Sequence, residues 1–285
     1  MTKMIDGVLN KRDPIADERP VVFDSPHSGT TYPDDFGHSL SMADLRKAED
    51  TFVDDLYENA PHGGAHLLVA LFPRAYIDPN RSVLDINPDL LDDAWPDPLA
   101  PGEKTRIGHG LIWSVSVGGT TMYDRKLGVA EVRNRIDAFY EPYHGMLKET
   151  LDDVHRRHGR LWHIDCHSTT SVSTENSPEG RAGVVRADFI LGDRDGTACD
   201  PAFTTFVKNV LAEMGYTVKL NDPFKGVELV RAYSDPAANR HSLQVEINRT
   251  LYMDENTLVP HEGYAKLKAN VTRMIEAICN HARKI

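Results

Sequence analysis

Apolar runs of strand length alternate along this chain with stretches whose apolar residues recur at helical spacing. Val21-Val22-Phe23, within Pro20 to Asp24, predicts a buried strand that ends near His27. Ser28, Gly29, Thr30 and Pro33 read as loop. From Asp44 to Asn59, apolar residues at Leu45, Ala48, Phe52, Val53 and Leu56 predict a helix, ended by Pro61 and Gly63-Gly64. His66 to Phe72 is a second strand. Asp78 to Gly110, rich in Pro, Asp and Asn, reads as a long loop. Leu111 to Val117 reads as a strand. Val129 to His158 predicts a long helix that Pro142 should kink or divide. Strands follow at Leu161 to His167 and Phe189 to Leu191. A helix at Pro201 to Met214 is closed by Gly215, strands recur at Tyr216 to Leu220 and Ser242 to Ile247, and a helix at Gly263 to Ala282 ends the pattern. With no linker or repeat, this alternation predicts a single α/β domain over residues 1–285, with a mostly parallel or mixed central sheet flanked by helices.

Charge narrows the partners. The formal net charge of −11 argues against nucleic acid bound through its phosphates, although local basic patches suit a small anion. No apolar run approaches the ~20 residues of a membrane helix, and Met1 to Arg12 lacks a signal-peptide core. Three cysteines, Cys166, Cys199 and Cys279, show no paired spacing, which favours a reducing cytoplasm.

Candidate chemistry gathers at strand ends. In Leu161 to His167, side chains alternate, so His163, Asp165 and His167 share one face and Trp162, Ile164 and Cys166 the other. His167 sits at the strand's C-terminal end, where open α/β sheets place ligands. It reads either as a Zn²⁺ ligand oriented by Asp165 or as half of a buried polar pair. His163, further back, reads as a hydrogen-bonded core histidine, and Cys166 as a buried thiol turned toward the helix layer. His27 occupies a similar strand end. Glu246 is an acid in an apolar strand. It reads either as a general base with a raised pKa or as a buried partner of Arg249 or Arg81. Glu49, Asp50 and Asp54 read either as candidates for a third, acidic ligand or as a solvated helix face, with Asp50 and Asp54 four residues apart on one face. Asn80-Arg81 reads either as a clamp on a substrate carboxylate or as a surface turn.

Six stretches together resemble the N-formylglutamate amidohydrolase family: Ser25-Pro26-His27-Ser28-Gly29, Glu49-Asp50-Thr51-Phe52-Val53-Asp54, Tyr76-Ile77-Asp78-Pro79-Asn80-Arg81, Pro142-Tyr143-His144, Ile164-Asp165-Cys166-His167-Ser168 and Gln244-Val245-Glu246-Ile247-Asn248-Arg249. Their order is also similar to that of zinc carboxypeptidases and aspartoacylases, which implies a zinc-exopeptidase-like fold. The resemblance implies one Zn²⁺ per chain, with His27 and His167 as ligands, Glu246 as base, and Asn80, Arg81 and Arg249 binding a small anionic amide. The implied reaction cleaves N-formyl-L-glutamate, or a close N-acyl acidic amino acid, to formate and glutamate, as in histidine degradation. Those relatives carry an acidic ligand three residues after the first histidine, where this chain has Thr30; Asp50, ahead of Glu49 and Asp54, is the expected replacement. The alternatives are an aspartoacylase-like or carboxypeptidase-like hydrolase of another N-acyl amino acid, and a non-catalytic anion-binding relative.

Overall fold

Strands buried on both faces need a helix layer on each side, and the fold supplies two. The computed structural model describes residues 2–175 and 177–284. Strands β1 (Thr2–Ile5), β2 (Leu9–Arg12), β3 (Val21–Ser25), β4 (His66–Ala70), β5 (Leu161–Thr169), β6 (Phe189–Gly192), β7 (Val218–Leu220) and β8 (Arg240–Asn248) form one eight-stranded sheet in the order β1-β2-β4-β3-β5-β8-β6-β7. The central four, β4, β3, β5 and β8, are parallel. Antiparallel β2 and β6 flank them, so the sheet of this α/β domain is mixed, as expected.

The helices are α1 (Met42–Arg46), α2 (Val53–Leu56), α3 (Glu103–Arg106), α4 (Val129–Arg135), α5 (Glu141–His158), α6 (Pro201–Glu213), α7 (Glu228–Tyr233) and α8 (Gly263–Lys284). Alternation sorts the core between the two faces. Phe23, Ile164, Cys166 and Val245 pack with Val207 of α6 and with Val271, Met274 and Ile278 of α8. Val22, Leu68 and Leu161 pack with Leu147, Leu151 and Val154 of α5. Each such side chain, fully buried, contributes about 1.5–3 kcal/mol.

Several expectations are corrected. The stretch from Asp44 to Asn59 is not one helix. It breaks between α1 and α2, where Phe52 takes a left-handed φ of 67° and Asp50 N–H donates to His27 O at 2.9 Å. Asp50 and Asp54 therefore do not share a helix face. Leu111 to Val117, buried at Leu111, Ile112, Trp113 and Ser116, is not a strand, because its backbone bonds run to separate loop residues, Leu111 to Asp78 and Asp85, Ser114 N–H to Gly108 O and Met122 N–H to Ser114 O, and form no ladder. Pro142 does not divide the long helix. One turn of π-helix, Ile136–Tyr140, joins α4 to α5 and widens the backbone just ahead of the proline ring. The short β1, β2, α3 and α7 lie outside the predicted elements, each of four to six residues and too short for its few apolar side chains to show a period.

Candidate metal centre and its cavity

Parallel register brings the candidate residues to one sheet edge. Asp24 of β3 lies opposite Asp165 of β5, and His167 of β5 opposite Glu246 of β8. His27 follows β3 by two residues, in a turn held by Ser25 Oγ and Ser28 Oγ at 2.8 Å. Gly29 is required there, because a Cβ would sit 2.2 Å from Phe72 O.

Three buried side chains converge in this edge. Asp50 Oδ2 lies 3.0 Å from His167 Nδ1 and 3.5 Å from His27 Nδ1, and ligand atoms of all three lie within 4.8 Å of one another. Each imidazole is oriented from behind by a carboxylate: His27 Nε2–H donates to Asp78 Oδ1 and His167 Nε2–H to Asp165 Oδ1, both at 2.7 Å. This leaves both Nδ1 atoms facing Asp50. His27 Nδ1 is buried and has no hydrogen-bond partner. An orphaned lone pair, a second oriented imidazole and a carboxylate make an N₂O donor set that fits a tetrahedral Zn²⁺ with an open fourth position.

Electrostatics agree. Burial opposes charge on Asp78, yet Arg74, His27 and Arg81 hold its carboxyl well below the usual range. Burial opposes charge on His167 as well, and Asp165 and Asp50 outweigh it, making the imidazole strongly basic. Glu246 moves the other way: burial raises it to about 7, against the pull of His167. Gln244 Nε2 donates to Glu246 Oε1 at 2.9 Å.

The other two acids lie apart from this cluster. Glu49 accepts from Tyr32 Oη at 2.8 Å and from Arg46. Asp54 lines a separate hollow with Ser28 and Thr30.

A cavity of ≈ 190 Å³ opens over His27, Asp50, His167 and Glu246. Residues 19–253 match the family model described as N-formylglutamate amidohydrolase. The chain belongs to the N-formylglutamate amidohydrolase family. It is similar to N-formylglutamate deformylase of Pseudomonas putida, with 32% identity over 241 residues that cover 83% of this chain and 82% of the relative. A crystal structure of N-formylglutamate amidohydrolase from Ralstonia eutropha JMP134 matches with a TM-score of 0.94 and 47% identity, over 98% of this chain and 99% of that one. A gene product from Agrobacterium tumefaciens, with a TM-score of 0.66 and 18% identity over 97% of this chain and 96% of its own, shares the fold.

In this family member the cavity wall is cationic although the chain is acidic. Arg81 is buried there, with Nε donating to His109 O at 2.9 Å and Nη1 to Asn80 O at 2.8 Å. Asn80 lies beside it, its amide donating to Asp165 Oδ2 at 3.3 Å and accepting from Leu229 N–H at 2.9 Å. Arg249 also lines the cavity. Its guanidinium donates to Ser168 Oγ, Lys47 O, Glu49 O and, at 3.0 Å, Asp50 Oδ1.

Arg74 and Asp78 went unassigned in the sequence. Arg74 Nη2 donates to Asp78 Oδ2 at 2.9 Å, and its Nη1 lies 3.8 Å from Asp50 Oδ1. Asp78 lay inside the Tyr76 to Arg81 motif, so its signal was present without a role. His144, also in a matching motif, bonds Pro79 O at 2.8 Å and Tyr233 Oη at 2.7 Å, and Tyr140 Oη donates to Arg81 O at 2.9 Å. These contacts fasten the turn that carries Asn80 and Arg81 to the helix. His163 bonds Ser242 Oγ at 2.7 Å and Asp24 Oδ1 at 3.1 Å, deep in the sheet.

Proposed function

We propose that this chain hydrolyses the formamide bond of N-formyl-L-glutamate to formate and L-glutamate, with one Zn²⁺ held by His27, Asp50 and His167. The observation that carries the reading is the convergence of His27 Nδ1, Asp50 and His167 Nδ1 beside a buried Glu246, in a chain of this family. When bound, the ion would supply Lewis acidity toward a carbonyl oxygen and a lowered pKa for water.

The chain's own residues do the rest. Glu246 accepts a proton from the attacking water as its oxygen bonds the formyl carbon, and gives it to the amide nitrogen as the C–N bond breaks. Gln244 fixes the Glu246 carboxylate. Arg74 and Arg81 face the substrate with guanidinium groups suited to a carboxylate. Asn80 and Arg249, expected on the substrate, line the cavity with their bonds directed to the protein, Asn80 to Asp165 and Arg249 to Asp50, so in this reading they position the ligand shell. Among the described residues no helix is long and apolar enough to cross a membrane. The free, buried Cys166, Cys199 and Cys279 support a reducing, cytoplasmic setting.

Chelation tests the reading directly. Protein stripped of metal should lose formate release from N-formyl-L-glutamate, and about one equivalent of Zn²⁺ should restore it. Full activity in metal-free protein would refute the proposal. The orienting carboxylates give a finer check. Asp78→Asn should weaken Zn²⁺ affinity about 10–100-fold, read by competition with a chromophoric chelator. Unchanged affinity would remove Asp78 from the role assigned to it.

A further inference from the structure

Five cations on the cavity wall have an acid of the same chain within ion-pair distance: Lys47 with Asp44, Arg74 and Arg81 with Asp78, Arg186 with Glu179, and Arg249 with Asp50. Lys104 also lines the cavity but, among the described residues, makes no ion pair or hydrogen bond through its ammonium. Its place is nonetheless fixed. His109 N–H donates to Lys104 O at 2.8 Å, and Arg81 Nε donates to His109 O at 2.9 Å, so the turn bearing Lys104 is fastened to Arg81. Burial, then the neighbouring Arg81 and Arg74 charges, push the ammonium down to about 8. An ammonium held beside two guanidiniums, with Glu103 and Asp78 offsetting them only in part and no acid within ion-pair distance, is disfavoured in the free protein, and an anion among the three relieves it.

Position within the cavity separates the substrate's two carboxylates. The formamide must lie at His27, Asp50 and His167. The α-carboxylate, two bonds from the amide nitrogen, then falls near Arg74, whose Nη1 is 3.8 Å from Asp50 Oδ1. The γ-carboxylate lies two methylenes further out. Lys104 sits on that outer side, since with Ile107, Phe224 and Val227 it lines both this cavity and an adjoining hollow.

We infer that Lys104 binds the γ-carboxylate of the substrate and sets the preference for dicarboxylic over neutral N-formyl amino acids. The inference rests on the substrate reading given above. Lys104 is a specificity residue and takes no part in bond cleavage.

The test compares wild type, Lys104→Met and Lys104→Arg on N-formyl-L-glutamate, N-formyl-L-glutamine (γ-amide) and N-formyl-L-isoglutamine (α-amide). Lys104→Met should lower kcat/KM for N-formyl-L-glutamate about 100-fold, mainly through KM, and that for the γ-amide less than about 3-fold. Lys104→Arg, which keeps the charge, should recover activity on N-formyl-L-glutamate to within about 10-fold of wild type. Equal losses on glutamate and glutamine substrates would overturn the inference, as would an undiminished preference for glutamate. Loss of discrimination against the α-amide instead of the γ-amide would overturn it too. Wild type that releases no formate from N-formyl-L-glutamate sinks the substrate reading and this inference with it. Wild-type turnover with an unaltered preference in Lys104→Met sinks the inference alone.

Discussion

Replacing His167 by alanine should cut bound Zn²⁺ from about one ion per chain to below about a tenth and abolish formate release. The expectation follows from the donor set. His167 supplies one of two imidazoles, and its loss leaves His27 Nδ1 and Asp50, too few ligands to hold the ion at working concentrations. The variant should also be less stable. His167 is buried between Asp50, at 3.0 Å, and Asp165, at 2.7 Å, so alanine takes one partner from each of two buried carboxylates and leaves Asp50 to Arg249 and Asp165 to Asn80. Breaking a buried pair in this way costs about 3–5 kcal/mol. Metal content, formate release and a circular-dichroism melt on the same sample separate the effects. A folded variant that keeps its full complement of zinc would remove His167 from the centre.

Glu246→Gln should instead spare the ion and remove the chemistry. The side chain keeps its shape, and an amide oxygen still accepts from Gln244, but no proton can be taken from water. A drop in kcat of about 10²–10⁴-fold with KM and zinc content little changed is expected. A variant within about threefold of wild type would place the base elsewhere. The pH profile adds a signed check. Burial first, opposed by His167, puts Glu246 at about 7 without an ion, and a nearby divalent cation pulls a carboxylate lower. The base acts deprotonated, so kcat/KM should fall as pH drops through a value below about 7. An acid limb centred above 8 would contradict the assignment.

What could be read from the sequence follows from which interactions are local. The period-two alternation of β5 separated His163, Asp165 and His167 from Trp162, Ile164 and Cys166, and parallel register then aligned His167 with Glu246. The break beside Asp50 was hidden because its causes lie elsewhere in the chain: His27 O takes the Asp50 N–H, and Arg249 takes the carbonyls of Lys47 and Glu49. Residues at helical spacing were thus pulled out of a helix by tertiary bonds. Leu111 to Val117 had the apolar content of a strand, and periodicity alone cannot tell a buried turn from a ladder. Arg74, Asp78 and Lys104 lay in segments with no periodicity, where only the folded cavity shows which charges meet. β1 and β2 form a lysine-bearing sheet edge, whose polarity suits an edge strand and erases the usual signal.

The bond from Arg249 to Asp50 spans 199 positions of sequence. A nascent chain released before β8 is complete has both histidines yet lacks the clasp that sets the third donor. Under the zinc reading proposed above, high-affinity loading would wait until β8 has docked, and the ion would act as a latch on the finished fold, closing only after its two distant halves have met.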